Sequence, residues 1–490
     1  MILLPWLALL LTPVAAYLHV GPLSQTPFTL EQTHSDFQLD SNPATQPNIH
    51  TRLEITSNGS AGLYCGRPGD EFNAGYAHFT NSEGVEDKHM FWWLFKARHD
   101  PENAPLIVTF GGGPGASGLL FPFSGAGPCV VQTDKQGRGE AVPAPHSWTE
   151  YANVLAIDQP VGVGFSYGQS LRNSGATTAW DVDDLLQAFW AQVEYPHLVK
   201  NQFMISSGSY GGIFMPHVIN TIHSRNHDLD EAVRVNRTIK MPESIMLANA
   251  WSDAQSHFLW FHQSNCIDNP FFNATICNDI VDALPGCLNA IQYAYEQSTP
   301  TNRYAAFEEC TERVAPWEHA TRNIYDYREK CPAGGCDMNL GPVEDVLNSS
   351  RIKAAVGVPH DRKFLIMAVD EITMPFVYNG DYIQPAYLLL GPAIAEGLRV
   401  LLYNGMKDGA VPWRSNLAWM RLLKSPHQSA FRNATEEEYP GVGTILKAGA
   451  GPAGEFTLVK IEEAGHMVVR TRPELLQHLM AQWLQKKPFY

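Results

Sequence analysis

Ser209 stands between small residues where an apolar, strand-like run (residues 203–207) meets a predicted helix (residues 213–223). The sequence Ser207-Gly208-Ser209-Tyr210-Gly211 places a small residue two positions before the serine and a glycine two positions after it. This spacing is typical of a nucleophile elbow, a tight strand-to-helix turn that exposes a serine hydroxyl. Small neighbours are needed because such a turn leaves no room for side chains beside the nucleophile. A serine- and glycine-rich loop without chemistry is the alternative interpretation.

A glycine-rich loop follows another apolar run, residues 105–110. Its sequence Gly113-Pro114-Gly115-Ala116-Ser117-Gly118 formally matches the dinucleotide-binding pattern. That pattern requires an immediate helix and an acidic residue about 20 residues further on, whereas this loop runs into a Gly- and Pro-rich stretch. The other interpretation is an oxyanion loop, in which glycines let backbone N–H groups point at a developing negative charge. Because a nucleophile elbow lies downstream, we prefer the oxyanion loop and expect no bound cofactor.

Asp408 and His466 are the candidate partners of Ser209. Asp408 follows a predicted strand at residues 398–403, and His466 follows the last predicted strand, residues 456–461. Enzymes with this elbow carry their triad in the chain order serine, acid, histidine, each on a loop after a strand. The chain contains 18 histidines, and His466 is distinguished by the preceding glycine, its strand-end position and its place in that order.

Strand and helix patterns alternate along most of the chain. Besides those above, residues 153–158 and 244–247 read as buried strands, and apolar residues at helical spacing mark helices near 182–193 and 475–484. Residues 53–64 and 89–98 alternate in polarity and predict antiparallel strands. The alternation predicts an α/β fold with a mostly parallel central sheet covered by helices.

The chain of 490 residues shows no internal repeat or linker, which favours one large domain over residues 17–490 with an insertion. Its net charge of −16 argues against nucleic acid as a partner, because that function requires a basic surface.

Residues 1–16 resemble a secretory signal peptide, with an apolar run followed by a small-residue cleavage site. The run is too short to span a bilayer, and no later stretch is long enough. Asn-x-Ser/Thr sequons support secretion; they lie at Asn58, Asn236, Asn273, Asn348 and Asn433. We therefore expect a secreted protein or one in the vacuolar or lysosomal lumen, without a membrane span.

Eight cysteines in a secreted chain predict disulfides; they are Cys65, Cys129, Cys266, Cys277, Cys287, Cys310, Cys331 and Cys336. Six of the eight fall between residues 266 and 336, in a region rich in helix-favouring polar residues. We interpret residues of about 255–345 as a helical cap insertion held by disulfides. No metal site is expected, because no Cys-x-x-Cys spacing occurs.

Several motifs together resemble the serine carboxypeptidase family (peptidase family S10), whose members have an α/β-hydrolase fold. The most specific is Asn-Val-Leu-Ala-Ile-Asp-Gln-Pro-Val-Gly-Val-Gly-Phe-Ser-Tyr at residues 153–167. Gly-Gly-Pro-Gly at 112–115, Asn-Ala-Trp-Ser-Asp at 249–253, Gly-His-Met-Val at 465–468 and the Lys-Pro-Phe ending also match. The resemblance covers nearly the whole mature chain.

The resemblance implies a role for each candidate residue. Ser209 would be the nucleophile, His466 the general base and then acid, and Asp408 the group that orients the imidazole. The backbone N–H groups of Gly113 and Tyr210 would form the oxyanion hole. Cysteine spacing similar to the family's suggests the pairs Cys266–Cys277, Cys287–Cys310 and Cys331–Cys336, which would leave Cys65–Cys129.

Four positions depart from the family pattern for binding a substrate's C-terminal carboxylate. Where the family has Trp, Asn, Glu and Glu, this chain has Thr109, Gly111, Gly125 and Gly208. The resemblance implies a secreted hydrolase that forms an acyl-enzyme on Ser209 and releases C-terminal residues from peptides. The alternative is a related acyltransferase or an esterase/amidase that does not need a free carboxylate. The substrate would be a peptide or a small acyl compound, and the oligomeric state stays open.

Overall fold

The computed structural model describes residues 50–191, 195–227, 239–331 and 338–490. The predicted signal peptide, Asn236 and Cys336 lie outside these ranges.

The strands are β1 (His50–Ala61), β2 (Arg67–Thr80), β3 (Glu86–Phe95), β4 (Leu106–Phe110), β5 (Cys129–Thr133), β6 (Gly139–Pro143), β7 (Asn153–Ile157), β8 (Tyr167–Gly168), β9 (Phe203–Ser209), β10 (Ser244–Ala250), β11 (Arg399–Gly405), β12 (Glu437–Tyr439), β13 (Gly443–Ala448) and β14 (Phe456–Ile461).

The α-helices are α1 (Leu120–Phe123), α2 (Gly175–Ala191), α3 (Gly211–His227), α4 (Ala254–Leu259), α5 (Ala274–Glu296), α6 (Pro300–Arg313), α7 (Gly341–Asn348), α8 (Ser350–Val356), α9 (Met374–Tyr378), α10 (Gly391–Ala395), α11 (Trp413–Leu422), α12 (Gln428–Arg432), α13 (Val468–Thr471) and α14 (Pro473–Leu484).

The main sheet has the strand order β1-β2-β3-β7-β4-β9-β10-β11-β14-β13-β12, with β8 paired to β3. From β7 to β14 in this order every pairing is parallel, whereas the strands on either side pair antiparallel. The centre is therefore parallel as predicted, and the sheet as a whole is mixed. The fold-class prediction is confirmed.

Alternate side chains of the central strands enter two apolar clusters, one on each face of the sheet. In β10, Ile245 and Leu247 belong to one cluster and Met246 to the other. Helices α2 and α3 cover the first face, and α14 covers the second. A strand buried on both faces needs a continuous apolar run. This explains why the central strands could be predicted from the sequence.

Between β10 and β11 the chain leaves the sheet and forms helices α4 to α10. Helices α4, α5 and α6 share an apolar cluster of their own, which includes Phe258, Ile291 and Cys310. Further along, α7 and α8 return to the main body, since Val343 and Ile352 belong to the cluster on the second face of the sheet. The segment between β10 and β11 therefore contains helices with an apolar core of their own, followed by helices that pack against the main sheet.

Candidate active site

Ser209 occupies a strained turn between β9 and α3. Its φ angle is +58°, in the left-handed region that non-glycine residues rarely adopt and that is found often at active sites. The turn is too tight for larger neighbours, because a Cβ atom added to Gly211 would lie 2.0 Å from Ser207 Oγ. The serine side chain is held at the strand end by backbone geometry, as a nucleophile elbow requires.

His466 and Asp408 form a buried pair. The imidazole Nδ1 lies 2.6 Å from Asp408 Oδ2, and the two residues are 6% and 1% exposed. A carboxylate can only accept a hydrogen bond, so Nδ1 carries a proton, and in the neutral imidazole the lone pair is then on Nε2. That tautomer is the one a general base needs.

The Asp408 carboxylate is fixed by three further donors. Asn249 Nδ2 donates to Oδ2 at 2.7 Å, and the backbone N–H groups of Ala410 and Val411 donate to Oδ1 at 2.9 and 3.3 Å. With both oxygens engaged, the carboxylate is held in one orientation toward the imidazole.

The three candidate residues lie at the carboxyl ends of parallel strands: Ser209 is the last residue of β9, and Asp408 and His466 follow β11 and β14. Strand β10 lies between β9 and β11. Its end touches both sides: Asn249, in β10, donates to Asp408, and Trp251, directly after β10, donates its N–H to Ser209 O at 2.9 Å. The structure joins Asp408 directly to His466, but within the described residues no hydrogen bond of 3.5 Å or less joins the Ser209 hydroxyl to the imidazole. In ligand-free enzymes that contact is often longer than in the substrate complex.

The glycine loop after β4 lies directly against the elbow. A Cβ atom added to Gly112 would lie 3.0 Å from both Ser209 Cβ and Tyr210 N, and 2.6 Å from Gly208 O. Gly113, with φ +104°, turns the chain at this point. The loop and the elbow thus bring the backbone predicted to form the oxyanion hole next to the serine.

Two neighbouring residues from the segment after α9 hold this backbone in place. Tyr382 donates its hydroxyl to Gly113 O at 2.8 Å, and Tyr210 donates its hydroxyl to Asp381 Oδ2 at 2.5 Å. Burial first, and then the Asp381 carboxylate, raises the pKa of the Tyr210 phenol well above its ordinary value, so the phenol remains a donor. Neither contact could be predicted from the sequence, because Asp381 and Tyr382 lie far from the elbow along the chain.

A second element that was not predicted from the sequence is a turn between α6 and α7. Ile324 O accepts hydrogen bonds from Gly409 N and Ala410 N at 2.9 and 3.0 Å, and Tyr325 O accepts one from His466 N at 2.7 Å. The turn therefore braces the loops of both the acid and the base. Asn249 was visible in the sequence as part of a family motif, but its contact with Asp408 was not.

Of the four positions that depart from the family pattern, Gly111 and Gly208 leave little space for a side chain. A Cβ atom added to Gly111 would lie 2.0 Å from Ala116 O, and one added to Gly208 would lie 2.9 Å from Ala248 Cβ. Gly125 has φ +129°, and Thr109 is buried with no hydrogen-bond partner for its hydroxyl. Larger polar side chains would not fit at Gly111 without a shift of the loop.

Three disulfides implied by the family resemblance are present: Cys65–Cys129, Cys266–Cys277 and Cys287–Cys310. The last joins α5 to α6, with a Cα–Cα distance of 4.8 Å. The expected pairing of Cys331 with Cys336 involves a residue outside the described ranges.

Asn58, Asn273 and Asn433 are exposed. Asn348 is half-buried, and its amide nitrogen donates to Glu344 O and Phe364 O at 3.2 and 2.9 Å. Within the described part of the chain, no helix has both the length and the apolar run needed to cross a membrane.

Comparison with known proteins gives one consistent family. A profile described as serine carboxypeptidase matches residues 67–486. The chain is similar to Carboxypeptidase Y homolog A from Sclerotinia sclerotiorum, at 30% identity over 84% of this chain and 72% of that protein. It is also similar to Carboxypeptidase Y homolog A from Podospora anserina, at 31% identity with the same coverage.

Among solved structures, the chain is similar to Kex1(delta)p, described as a prohormone-processing carboxypeptidase from Saccharomyces cerevisiae. The TM-score is 0.69 at 18% identity, and the match covers 88% of this chain and 95% of the other. This likeness concerns the fold.

Proposed function

This chain belongs to the serine carboxypeptidase family, a family of hydrolases, and from that premise we propose that Ser209, His466 and Asp408 are its catalytic triad. The proposed reaction is removal of the C-terminal residue of a peptide through an acyl-enzyme. The buried hydrogen bond between His466 and Asp408, at 2.6 Å, carries the proposal, because it orients the imidazole and sets its tautomer.

In the first step, Ser209 Oγ attacks the carbonyl carbon of the last peptide bond while His466 Nε2 takes the hydroxyl proton. The oxyanion that forms would accept hydrogen bonds from the N–H groups of Gly113 and Tyr210. The C–N bond then breaks, and the imidazolium gives its proton to the leaving amine. Asp408 stabilises the imidazolium throughout.

In the second step, a water molecule attacks the acyl-enzyme. His466 takes one proton from that water and returns it to Ser209 Oγ when the ester bond breaks. The shortened peptide leaves with a new carboxylate, and the enzyme returns to its starting state.

To select a free C-terminus, this chain would have to bind the substrate's carboxylate with groups other than those of the family pattern. A carboxylate without hydrogen-bond partners in a buried site loses several kcal/mol, and Gly111, Gly125 and Gly208 offer no side chain to bind it. This observation favours, as a second candidate, an acyltransferase or an esterase/amidase that does not require the carboxylate.

The rate on an N-blocked dipeptide, compared with the rate on its C-terminal amide, separates the two candidates. A carboxypeptidase should cleave the free acid much faster than the amide. Equal rates, or a preference for the amide, would overturn the carboxypeptidase assignment and favour the second candidate. Ser209→Ala serves as the control for contaminating peptidases.

We extend the proposal to location and substrate: the chain acts on peptides in the lumen of the secretory pathway or outside the cell. The disulfides support this, and the exposed sequons at Asn58, Asn273 and Asn433 could carry glycans there. Peptide mapping after endoglycosidase treatment tests the proposal, and the absence of any glycan on the secreted chain would contradict it.

A further inference from the structure

Two histidines and a glutamate meet at the end of α3 that is remote from Ser209. His223 and His227 lie one helical turn apart, and their rings are 4.5 Å apart. Glu396, directly after α10, completes the group: His223 Nε2 lies 3.0 Å from Oε1, and His227 Nε2 lies 3.3 Å from Oε2. All three ligand atoms lie within 4.8 Å of one another.

These distances are close to those in a tetrahedral zinc site. Zn²⁺ binds imidazole nitrogen and carboxylate oxygen at about 2.0–2.2 Å, which separates neighbouring ligand atoms by about 3.3 Å in a tetrahedron. Both histidine-to-carboxylate distances already have this size. Histidines at positions i and i+4 of a helix are also a known way to present two ring nitrogens to one metal ion.

The electrostatic surroundings favour a cation. The group lies at the carboxyl end of α3, where the helix dipole carries partial negative charge. The neighbouring Arg225 faces away into a buried pair, with Nη1 bound to Asp183 and Asp184 at 2.5 and 2.6 Å.

A second group of the same composition, His78, Glu86 and His89, suits a metal less well. There the two Nδ1 atoms lie only 2.7 Å apart, which is closer than two ligand atoms of one tetrahedral zinc ion, at about 3.3 Å. Arg52 also forms an ion pair with Glu86 at 3.3 Å. A guanidinium beside the carboxylate competes with a metal ion, whereas among the described residues the only ion pairs of Glu396 are those with His223 and His227.

We propose that His223, His227 and Glu396 bind a Zn²⁺ ion, with water completing the coordination. The ion would connect the end of α3 to the chain entering β11, and so join the helix that follows Ser209 to the strand that precedes Asp408. His223 lies about 18 Å along α3 from its first residue, at 1.5 Å per residue. The ion is therefore structural, and the proposal does not depend on the proposed hydrolase function.

Isothermal titration of the chelator-treated full chain with zinc chloride tests the site. We expect one equivalent to bind at micromolar zinc, and His227→Ala and Glu396→Gln each to weaken binding by at least about 10–100-fold, the effect of losing even an outer-shell partner. His427→Ala is the matched control, because His427 faces Glu455 at 3.7 Å without a second histidine, and it should bind zinc like the wild type.

A second measurement, the thermal midpoint, distinguishes loss of zinc binding from misfolding of a variant. Thermal midpoints of all variants should agree in chelator, and zinc should raise the midpoint of the wild type and of His427→Ala only. The proposal is overturned if the wild type binds no zinc, if His227→Ala and Glu396→Gln still bind it normally, or if His89→Ala abolishes binding instead.

Discussion

At the scale of single residues, Asn249 connects the two sides of the candidate catalytic site. It has a φ angle of +39°, and its amide donates to Asp408 at 2.7 Å while its Oδ1 accepts from Gly405 N at 3.1 Å. The same strand end contacts the Ser209 carbonyl through Trp251 N. Asn249 is therefore a positioning residue, acting through Asp408.

Asn249→Ala should lower kcat by about a hundredfold, the effect of a displacement of about 1 Å in an active site, and leave KM nearly unchanged. Asn153→Ala is the matched control. Asn153 is also buried and bonded to backbone carbonyls, but it begins β7 at the opposite end of the parallel strands. It should lose stability while keeping kcat, and an equal loss of kcat in both variants would show that Asn249 has no positioning role.

Tyr382 is the second residue whose contact bears on the chemistry, because its hydroxyl holds the Gly113 carbonyl. Tyr382→Phe removes one hydrogen bond, worth about 1 kcal/mol, and should lower kcat by up to about tenfold. Tyr439→Phe is the control, since that hydroxyl also donates to a backbone carbonyl, at 3.0 Å, but near the C-terminus of the chain. Unchanged kcat in Tyr382→Phe would mean that the loop keeps its position without the tyrosine.

At the scale of elements, the strands and turns that depend on a local residue pattern could be predicted from the sequence. Continuous apolar runs marked the parallel strands, and small residues marked the elbow at Ser209 and the loop at Gly113. The short strands β12 and β13 were not predicted, because neither presents a long apolar run.

The contacts that support the site were not predictable in the same way. The turn at Ile324 and Tyr325 is polar and irregular in sequence, and its role appears only when the cap packs onto the loops of Asp408 and His466. Likewise, the spacing of His223 and His227 is visible in the sequence, but Glu396 reaches them only through the contact of α10 with α3.

In the predicted cap, a disulfide joins α5 to α6. Cys287 and Cys310 are 23 residues apart, and closing a loop of that size stabilises a fold by about 3 kcal/mol in the chain-entropy treatment. The double variant Cys287→Ser/Cys310→Ser should therefore unfold its cap at lower denaturant concentration, as followed by limited proteolysis within residues 254–315. Cleavage at the wild-type rate would show that the apolar cluster of the cap is sufficient without the bond.

At the scale of the whole molecule, a buried histidine links stability to pH. His257 is 3% exposed and packs against the ring of Trp251 at a centroid distance of 4.0 Å. Burial lowers the pKa of His257 to about 3. The unfolded chain, with an ordinary histidine pKa of about 6.5, binds a proton that the folded chain excludes.

The contribution of His257 to the free energy of unfolding is therefore fully present above about pH 6.5, and it is lost as the pH falls toward 3. His257→Phe removes the effect, so its free energy of unfolding should fall less between pH 6.5 and pH 4 than that of the wild type. Each unit of pKa difference corresponds to about 1.4 kcal/mol. Urea titrations at several pH values measure the slope, with the exposed His319→Phe as control, and parallel slopes for the wild type and His257→Phe would contradict the assignment.

The most direct test of the catalytic proposal is covalent labelling with a serine-directed fluorophosphonate, followed by mass mapping of the labelled peptide. We expect one label per chain, on Ser209, together with loss of peptide turnover; Ser209→Ala should take no label and lose about a millionfold in kcat, as is typical when a triad serine is removed. A label on another serine, or Ser209→Ala retaining wild-type turnover, would contradict the assignment of Ser209 as the nucleophile.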